Sequence, residues 1–154
     1  MAAVLLSYDR LGSRLTAVGA NPIEYDQLGS RPSRLGDRKL AYDRLGSRLR
    51  AIGDLPIEYD RLGSRIKSVG EWQLKYDRAG SRMRAIGPYT IDYDHLGSRP
   101  RAVGPMTIDY DRLGSRPHQV VVHGQAATLD DAQLLAIFVV LFELERREQE
   151  DNRR

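Results

Sequence analysis

The sequence predicts a mainly β protein in which seven 17-residue β-hairpin repeats form a curled antiparallel meander packed on one C-terminal α-helix. Two observations predict this fold class. The dipeptide Tyr-Asp recurs at one constant interval, beginning at Tyr8, Tyr25, Tyr42, Tyr59, Tyr76, Tyr93 and Tyr110. The repetition then gives way to a run that is apolar at every position, from Leu134 to Phe142. We therefore expect residues 1–127 to form the repeat region, and residues 128–154 to add an apolar helix with a charged tail to the same domain.

Each repeat has room for one hairpin. Two strands of about five residues and two turns of three or four residues add up to about 17 residues. The first strand alternates apolar and polar side chains, as in Ile57, Glu58, Tyr59 and Asp60, and this period of two is typical of a strand. We expect a meander of up to fourteen short strands, and the sequence leaves open whether the sheet closes into a barrel.

Five positions are identical in all seven repeats, and each has a local structural reason. Asp-x-x-Gly is a turn signal, because the carboxylate can accept backbone N–H bonds and glycine can adopt the positive φ that closes the turn. A second glycine, such as Gly53 or Gly70, marks the reversal between repeats. In the central repeats the residues assigned to this structural role are Tyr59, Asp60, Gly63, Ser64, Arg65, Tyr76, Asp77, Gly80, Arg82, Tyr93, Asp94, Gly97 and Arg99.

The turn also predicts a strand register. If Asp60 pairs with Ser64, then Tyr59 lies opposite Arg65, and the guanidinium can lie on the tyrosine ring of the same hairpin. In this register the Ile or Leu two residues before each Tyr shares a face with the Val, Ile or Leu four residues after each Arg. This one-sided apolar stripe must be buried against another element.

A β-solenoid is the alternative fold. In a solenoid each repeat forms one coil, and identical residues stack in parallel ladders. Stacked Asp and Arg columns would then set like charges about 4.8 Å apart, so we favour the hairpin. Prolines follow the arginine in three repeats, at Pro32, Pro100 and Pro117, where they fit the start of a strand.

The pattern Tyr-Asp-x-x-Gly-x-Arg distantly resembles the YD-repeat motif of rearrangement-hot-spot and teneurin-type proteins. The resemblance spans Leu5 to Val122. In that family tandem hairpins form a long antiparallel sheet that spirals into a hollow shell, so the resemblance implies hairpins and a sheet that curls. Two features depart from the family: a serine stands between the glycine and the arginine, and the period does not vary from one repeat to the next. The enclosure of a cargo domain is therefore not carried over.

The apolar run predicts an enclosed helix. Thr128 is expected to cap its N-terminus, with Asp130 and Asp131 in the first turn, where the helix dipole favours anions. The run rises only about 14 Å, half of a bilayer's hydrocarbon thickness of roughly 30 Å, so we expect no transmembrane span. We expect the tail from residue 143 onwards to project into water. One sheet face would leave part of such a helix uncovered, which predicts a homodimer as the first expectation. The residues assigned to this assembly helix are Leu134, Leu135, Ile137, Phe138, Leu141 and Phe142.

No residue pattern in the sequence predicts catalysis, a cofactor or a metal site. The chain has no cysteine, which excludes disulfides and thiolate ligands. His95 occupies a turn position that holds Arg in other repeats, and His118 and His123 have no evident third ligand. One aspartate per loop beside an arginine is a poor cation site. We therefore expect a non-enzymatic protein without cofactors.

These observations predict a structural or self-assembly repeat protein of the cytoplasm. The lack of cysteine and of a signal-peptide pattern favours that compartment. Two alternatives stay open: a carbohydrate- or nucleic-acid-binding module that uses the Tyr/Arg face, and a membrane-associated protein that uses the helix. The expected partner is a second copy of the chain, with other proteins also compatible. We do not expect nucleic acid, carbohydrate or a membrane, because Tyr and Arg are expected to stack on each other.

Overall fold

A computed structural model of the chain contains fourteen β-strands followed by one α-helix. The predicted site residues Gly63, Ser64, Gly80 and Gly97, together with Thr128 and His95, lie outside the described residues. The structure describes residues 2–9, 14–26, 31–43, 48–60, 65–77, 82–94, 99–111, 116–124 and 129–152.

The strands alternate between first and second strands of successive repeats. Their bounds are β1 (Ala2–Tyr8), β2 (Leu15–Val18), β3 (Asn21–Tyr25), β4 (Pro32–Leu35), β5 (Arg38–Tyr42), β6 (Leu49–Ile52), β7 (Leu55–Tyr59), β8 (Ile66–Val69), β9 (Trp72–Tyr76), β10 (Met83–Ile86), β11 (Tyr89–Tyr93), β12 (Pro100–Val103), β13 (Met106–Tyr110) and β14 (Pro117–Val122). The helix α1 spans Asp131–Asn152.

The sheet topology confirms the predicted hairpin meander. The strand order is β1-β14-β13-β12-β11-β10-β9-β8-β7-β6-β5-β4-β3-β2, which is that of a closed barrel. The strands pair antiparallel, as β7 does with β8 and β8 with β9. The parallel stacking of a β-solenoid is therefore not what the structure shows. The three prolines that follow arginines each begin a strand.

The chain divides into two compact units. The repeat unit is Leu6–Pro88, and it contains β2 to β10 with the end of β1. The helix unit is Met1–Leu5 together with Tyr89–Arg154, and it contains the start of β1, β11 to β14 and α1. Within the helix unit α1 lies against β12.

Both apolar registers predicted from the sequence are buried. The residue two positions before each Tyr is 3–7% exposed, and the residue four positions after each Arg is 0–1% exposed. The two registers meet in the hairpin, where Ile57 pairs with Val69. Each such side chain stabilises the fold by about 1.5–3 kcal/mol relative to an exposed one.

The register of the hairpin differs from the prediction. Tyr59 pairs with Ile66 rather than Arg65, and Lys67 is skipped in the pairing. The backbone N–H of Asp60 donates to the carbonyl oxygen of Arg65 at 3.0 Å, so the connecting segment has four residues instead of three. An extra residue on one strand is a β-bulge, which bends that strand and increases its twist. The same register shift occurs in every repeat, once per hairpin.

The reversal between repeats is a two-residue loop that begins with the second glycine. Ile52 pairs with Leu55, so Gly53 and Asp54 form the loop. Gly53 has a φ of 57°, whereas no non-glycine residue in the described part of the chain has a positive φ. Glycine at the first loop position is the pattern of a type II′ turn, whose twist matches that of the flanking strands. The glycines that share this conformation are Gly19, Gly36, Gly53, Gly70, Gly87 and Gly104.

Replacing one of these glycines should cost more where a side chain lies over it. A Cβ on Gly87 would lie 2.6 Å from Cγ of Trp72, whereas a Cβ on Gly53 would lie 3.6 Å from Cγ of Arg38, an ordinary contact. The φ values are similar, 54° and 57°, so both variants carry the same backbone strain of about 1 kcal/mol. Gly87→Ala should lose a further ~1–3 kcal/mol because the indole must move. Urea unfolding of both variants measures the difference, and equal losses would contradict this packing.

The N-terminus of α1 is capped by Asp130 rather than by the predicted Thr128. The carboxylate of Asp130 accepts the backbone N–H of Gln133 at 2.8 Å, and the side-chain oxygen of Gln133 accepts the backbone N–H of Asp130 at 3.0 Å. This reciprocal pair is a capping box, which satisfies two backbone donors at the helix start. Asp131 lies in the first turn, as expected.

Burial of α1 is complete over more than two turns. Every residue from Leu134 to Leu141 is at most 6% exposed, and eight consecutive helical residues point in all directions. Phe142 is partly exposed. Glu143 is buried at 9% exposure, so the expectation that the charged tail lies in water is wrong at its first residue. No helix among the described residues is both long enough and apolar enough to span a bilayer.

This burial bears on the predicted homodimer. The exposures refer to a single chain, so one chain already covers the helical residues that were expected to need a partner. The physical reason for pairing through α1 is therefore absent, and the homodimer stays a prediction without that support.

Candidate functional site

The invariant residues form one recurring arrangement, the Asp-Arg-Tyr cluster. Each cluster consists of an Asp, the Arg five residues later and the Tyr of the next repeat, as in Asp60, Arg65 and Tyr76. Arg65 Nε donates to Asp60 Oδ2 at 2.8 Å, and its guanidinium carbon lies 4.5 Å from the centre of the Tyr76 ring. Tyr76 then donates its hydroxyl to the carbonyl oxygen of Ile66 at 2.6 Å. The arginine is therefore held between a carboxylate and an aromatic ring.

The geometry is nearly identical from repeat to repeat. In the complete clusters the distance from Arg Nε to Asp Oδ2 is 2.8–3.0 Å, and the guanidinium lies 4.3–4.8 Å from the ring centre. The tyrosine hydroxyl bond is 2.6–2.7 Å. The clusters in which all three contacts are described, called complete here, are Asp9/Arg14/Tyr25, Asp26/Arg31/Tyr42, Asp43/Arg48/Tyr59, Asp60/Arg65/Tyr76 and Asp94/Arg99/Tyr110.

The aspartate closes the connection between the two strands of its repeat. Besides the side-chain pair, the backbone N–H of Asp43 donates to the carbonyl oxygen of Arg48 at 2.9 Å. In return, Oδ1 of Asp43 accepts the backbone N–H of Arg48 at 3.4 Å. The aspartate therefore accepts a backbone N–H, as predicted, and its donor is the arginine five residues later; the turn between them lies outside the described residues.

The tyrosine joins neighbouring repeats. Tyr59 ends β7 in one repeat, but its hydroxyl bonds the first residue of β6, Leu49, in the preceding repeat. The ring carries the arginine of that same preceding repeat, Arg48. The stacking of Arg on Tyr was predicted within one hairpin, and it occurs instead between consecutive repeats. This cross-repeat contact is the kind of nearest-neighbour interface that stabilises repeat proteins.

The cluster leaves its groups poorly suited to acid, base or nucleophilic chemistry. Each aspartate carboxylate in a complete cluster bonds an arginine, and each tyrosine hydroxyl donates to a backbone carbonyl. Burial raises the pKa of Tyr42 far above its usual value, against the opposing effect of Arg31. The phenol therefore stays neutral at physiological pH and remains a hydrogen-bond donor.

The structure places the other predicted site residues as follows. Asp77 and Arg82 form the same ion pair at 3.0 Å, and Tyr93 lies part-buried at the end of β11. Of the assembly helix, Phe142 is the one residue that is not buried; its ring centre lies 5.9 Å from that of Phe138.

Neither described histidine belongs to a recognisable metal site. His118 is exposed on β14, and Nε2 of His123 lies 3.1 Å from Oγ1 of Thr107. Across the ranges that the structure describes, no three His, Cys, Asp or Glu side chains come together in a way that could hold a metal ion.

One recurring contact was not predicted from the sequence. The first residue of a first strand packs over the second glycine fifteen positions later, as Leu55 does over Gly70 and Trp72 over Gly87. Asn21, Arg38 and Tyr89 occupy the same place over their own glycines. The side chains differ in every repeat, so repetition of residue type gave no signal, although their fixed position at the start of the strand could have.

Comparison with family models, with curated proteins and with solved structures finds no match to this sequence. The YD-repeat resemblance therefore stays a prediction that rests on the quoted motif.

Proposed function

We propose that this chain is a non-enzymatic structural and self-assembly protein, whose repeats bury an apolar helix. The observation that carries the proposal is the use made of the invariant residues. Tyr, Asp and Arg occupy three of the five positions that are identical in all seven repeats, and in the complete clusters they bond one another or the backbone. Their repetition is explained by the joining of neighbouring repeats.

The alternative of a binding module that uses the Tyr/Arg face is less well supported. Such a module needs tyrosine ring faces on which bases or sugars can stack. In the five complete clusters an arginine already covers one ring face at 4.3–4.8 Å. Self-assembly into a dimer and a cytoplasmic location complete the proposal, both as predictions from the sequence.

Equal substitutions in different repeats test the structural role. Tyr42→Phe, Tyr59→Phe and Tyr76→Phe each remove one hydroxyl bond to a backbone carbonyl and keep the ring under its arginine. Each should lower the free energy of unfolding in urea by about 1 kcal/mol. The losses of Tyr42→Phe and Tyr76→Phe should add within about 0.5 kcal/mol, because the two sites share no partner.

A different role for the tyrosines would give a different result. If all three variants unfold at the same urea concentration as the unmodified chain, the hydroxyl bonds do not stabilise the fold. The repetition of tyrosine would then require another explanation, and the proposed structural role of the repeated tyrosines would be wrong.

A further inference from the structure

The residue that is skipped in each hairpin carries a cation in four consecutive repeats. The bulge positions of the second strands β6, β8, β10 and β12 hold Arg50, Lys67, Arg84 and Arg101, and all four side chains are exposed. These cations are separate from the cluster arginines, which are paired with aspartates. Three of the four, Arg50, Lys67 and Arg84, belong to the repeat unit.

Other exposed cations surround these three. On the strands β4 to β10, the one exposed acidic side chain among the described residues is Glu58, which accepts a hydrogen bond from Ser68 at 3.1 Å. The exposed cations on the same strands form what we call the basic face: Arg34, Lys39, Arg50, Lys67, Lys75 and Arg84. Within the described part of the chain, none of the six is in an ion pair.

Two cations of the basic face lie directly opposite each other. Arg34 pairs directly with Lys39 across β4 and β5, and like charges placed opposite each other on a sheet destabilise it. Arg34 also lies opposite the exposed Glu24 on β3, which offsets part of this repulsion. An anionic partner would remove the remainder.

The cations are also regularly spaced. Arg50, Lys67 and Arg84 lie at the same register position on alternate strands of the repeat unit. Neighbouring strands are ~4.8 Å apart, so successive cations are spaced by about 9–10 Å. A linear polyanion laid across the strands would meet them one after another.

The chemistry of the face favours one polyanion. Single-stranded nucleic acid binds largely through bases stacked on aromatic rings, and the exposed positions of the basic face hold no aromatic side chain. Membrane surfaces are usually bound with inserted apolar side chains as well as charge. Among the described residues Leu5 is a large apolar side chain that is exposed, and it lies on β1, outside this face.

We propose that the basic face binds the phosphate backbone of double-stranded DNA without reading its base sequence. A duplex offers the highest regular density of phosphates, about one charge per 1.7 Å of its axis, and isolated lysines and arginines contact phosphates rather than bases. The expectation against nucleic acid concerned the cluster tyrosines and arginines, and the basic face is a different set of residues. The proposal is independent of the structural role, which uses the invariant positions.

Fluorescence anisotropy of the full chain with a labelled duplex of about 20 base pairs tests the proposal. About four phosphate contacts should weaken binding on the order of 100-fold between ~50 and ~200 mM KCl. The quadruple variant Arg50→Gln/Lys67→Gln/Lys75→Gln/Arg84→Gln should bind at least tenfold more weakly, with a much shallower salt dependence. Its far-UV spectrum and thermal midpoint should match those of the unmodified chain.

A matched pair of single variants keeps the test decisive if the quadruple variant folds poorly. Arg84→Gln and Arg101→Gln are the same change at the same bulge position, on β10 and β12. Arg101 lies on a strand flanked on both sides by strands with an acidic residue, Asp92 on β11 and Asp109 on β13. By contrast, β9 beside Arg84 carries the exposed Lys75. Arg84→Gln should weaken duplex binding several-fold and reduce the salt slope by about one, whereas Arg101→Gln should change neither.

Four outcomes would overturn the proposal. The first is no duplex binding at ~50 mM KCl, where phosphate contacts are strongest. The second is equal weakening by Arg84→Gln and Arg101→Gln, which would indicate only a general effect of net charge. The third is tighter binding to a single strand of equal length than to the duplex, and the fourth is tighter binding to vesicles that contain phosphatidylserine. The tyrosine variants above keep the basic face intact, so their result is separate from this one.

Discussion

Ala136→Asp should destabilise the protein by roughly 4 kcal/mol or more, enough to unfold a domain of ordinary stability. Ala136 is 0% exposed at the centre of the buried stretch of α1. A carboxylate there would have neither water nor a designed partner, and an isolated buried charge is among the most costly changes that one substitution can make. The larger side chain would also overpack its surroundings. Thermal and urea unfolding followed by far-UV circular dichroism measures the loss.

Ala132→Asp is the matched control for this variant. Ala132 lies one turn earlier on the same helix and is partly exposed. The first turn also favours an anion because of the helix dipole. The control should therefore change stability by no more than about 0.5 kcal/mol. Similar losses in the two variants would mean that α1 is not enclosed.

The strand positions could be predicted because two features of the repeat constrain them: the fixed spacing of its apolar residues and its constant length. Ile57 and Val69 stand at fixed distances from invariant residues, and both are buried as expected. The constant length of the repeat leaves room for two short strands and two turns, and antiparallel pairing avoids stacked like charges. Composition and spacing therefore sufficed for the fold class, although not for closure of the sheet.

The register could not be predicted because the bulge has no residue signature. The skipped position holds Lys67 in one repeat, Ser33 in another and His118 in the last. A register without the bulge places Tyr59 opposite Arg65 and predicts the wrong ring for the guanidinium. The cross-repeat contact between Arg48 and Tyr59 depends on strand neighbours, which local sequence does not specify.

The helix cap was within reach of the sequence. Asp130 and Gln133 have the spacing of a capping box, and they form it. A cap at Thr128 would begin the helix two residues too early, since α1 begins at Asp131. The burial of Glu143 had no such signal, because a charged residue after an apolar run ordinarily faces water.

The helix α1 is part of the core of the helix unit. The residues from Leu134 to Leu141 are each at most 6% exposed. Burial of their large apolar side chains contributes on the order of 10 kcal/mol, comparable to the whole stability of a domain. Removal of the helix would also expose apolar residues of β12, which α1 contacts, including Val103 at 0% exposure.

A chain that ends at Gly124 tests this role of α1. Far-UV circular dichroism, thermal unfolding and light scattering should be recorded beside the full chain at equal concentration. We expect the shortened chain to lack a cooperative unfolding transition and to aggregate, because its apolar strand face has lost the helix and exposed patches of that kind associate. A shortened chain that is soluble, monomeric and as heat-stable as the full chain would mean that the repeats fold without α1 and that the helix is not part of the core.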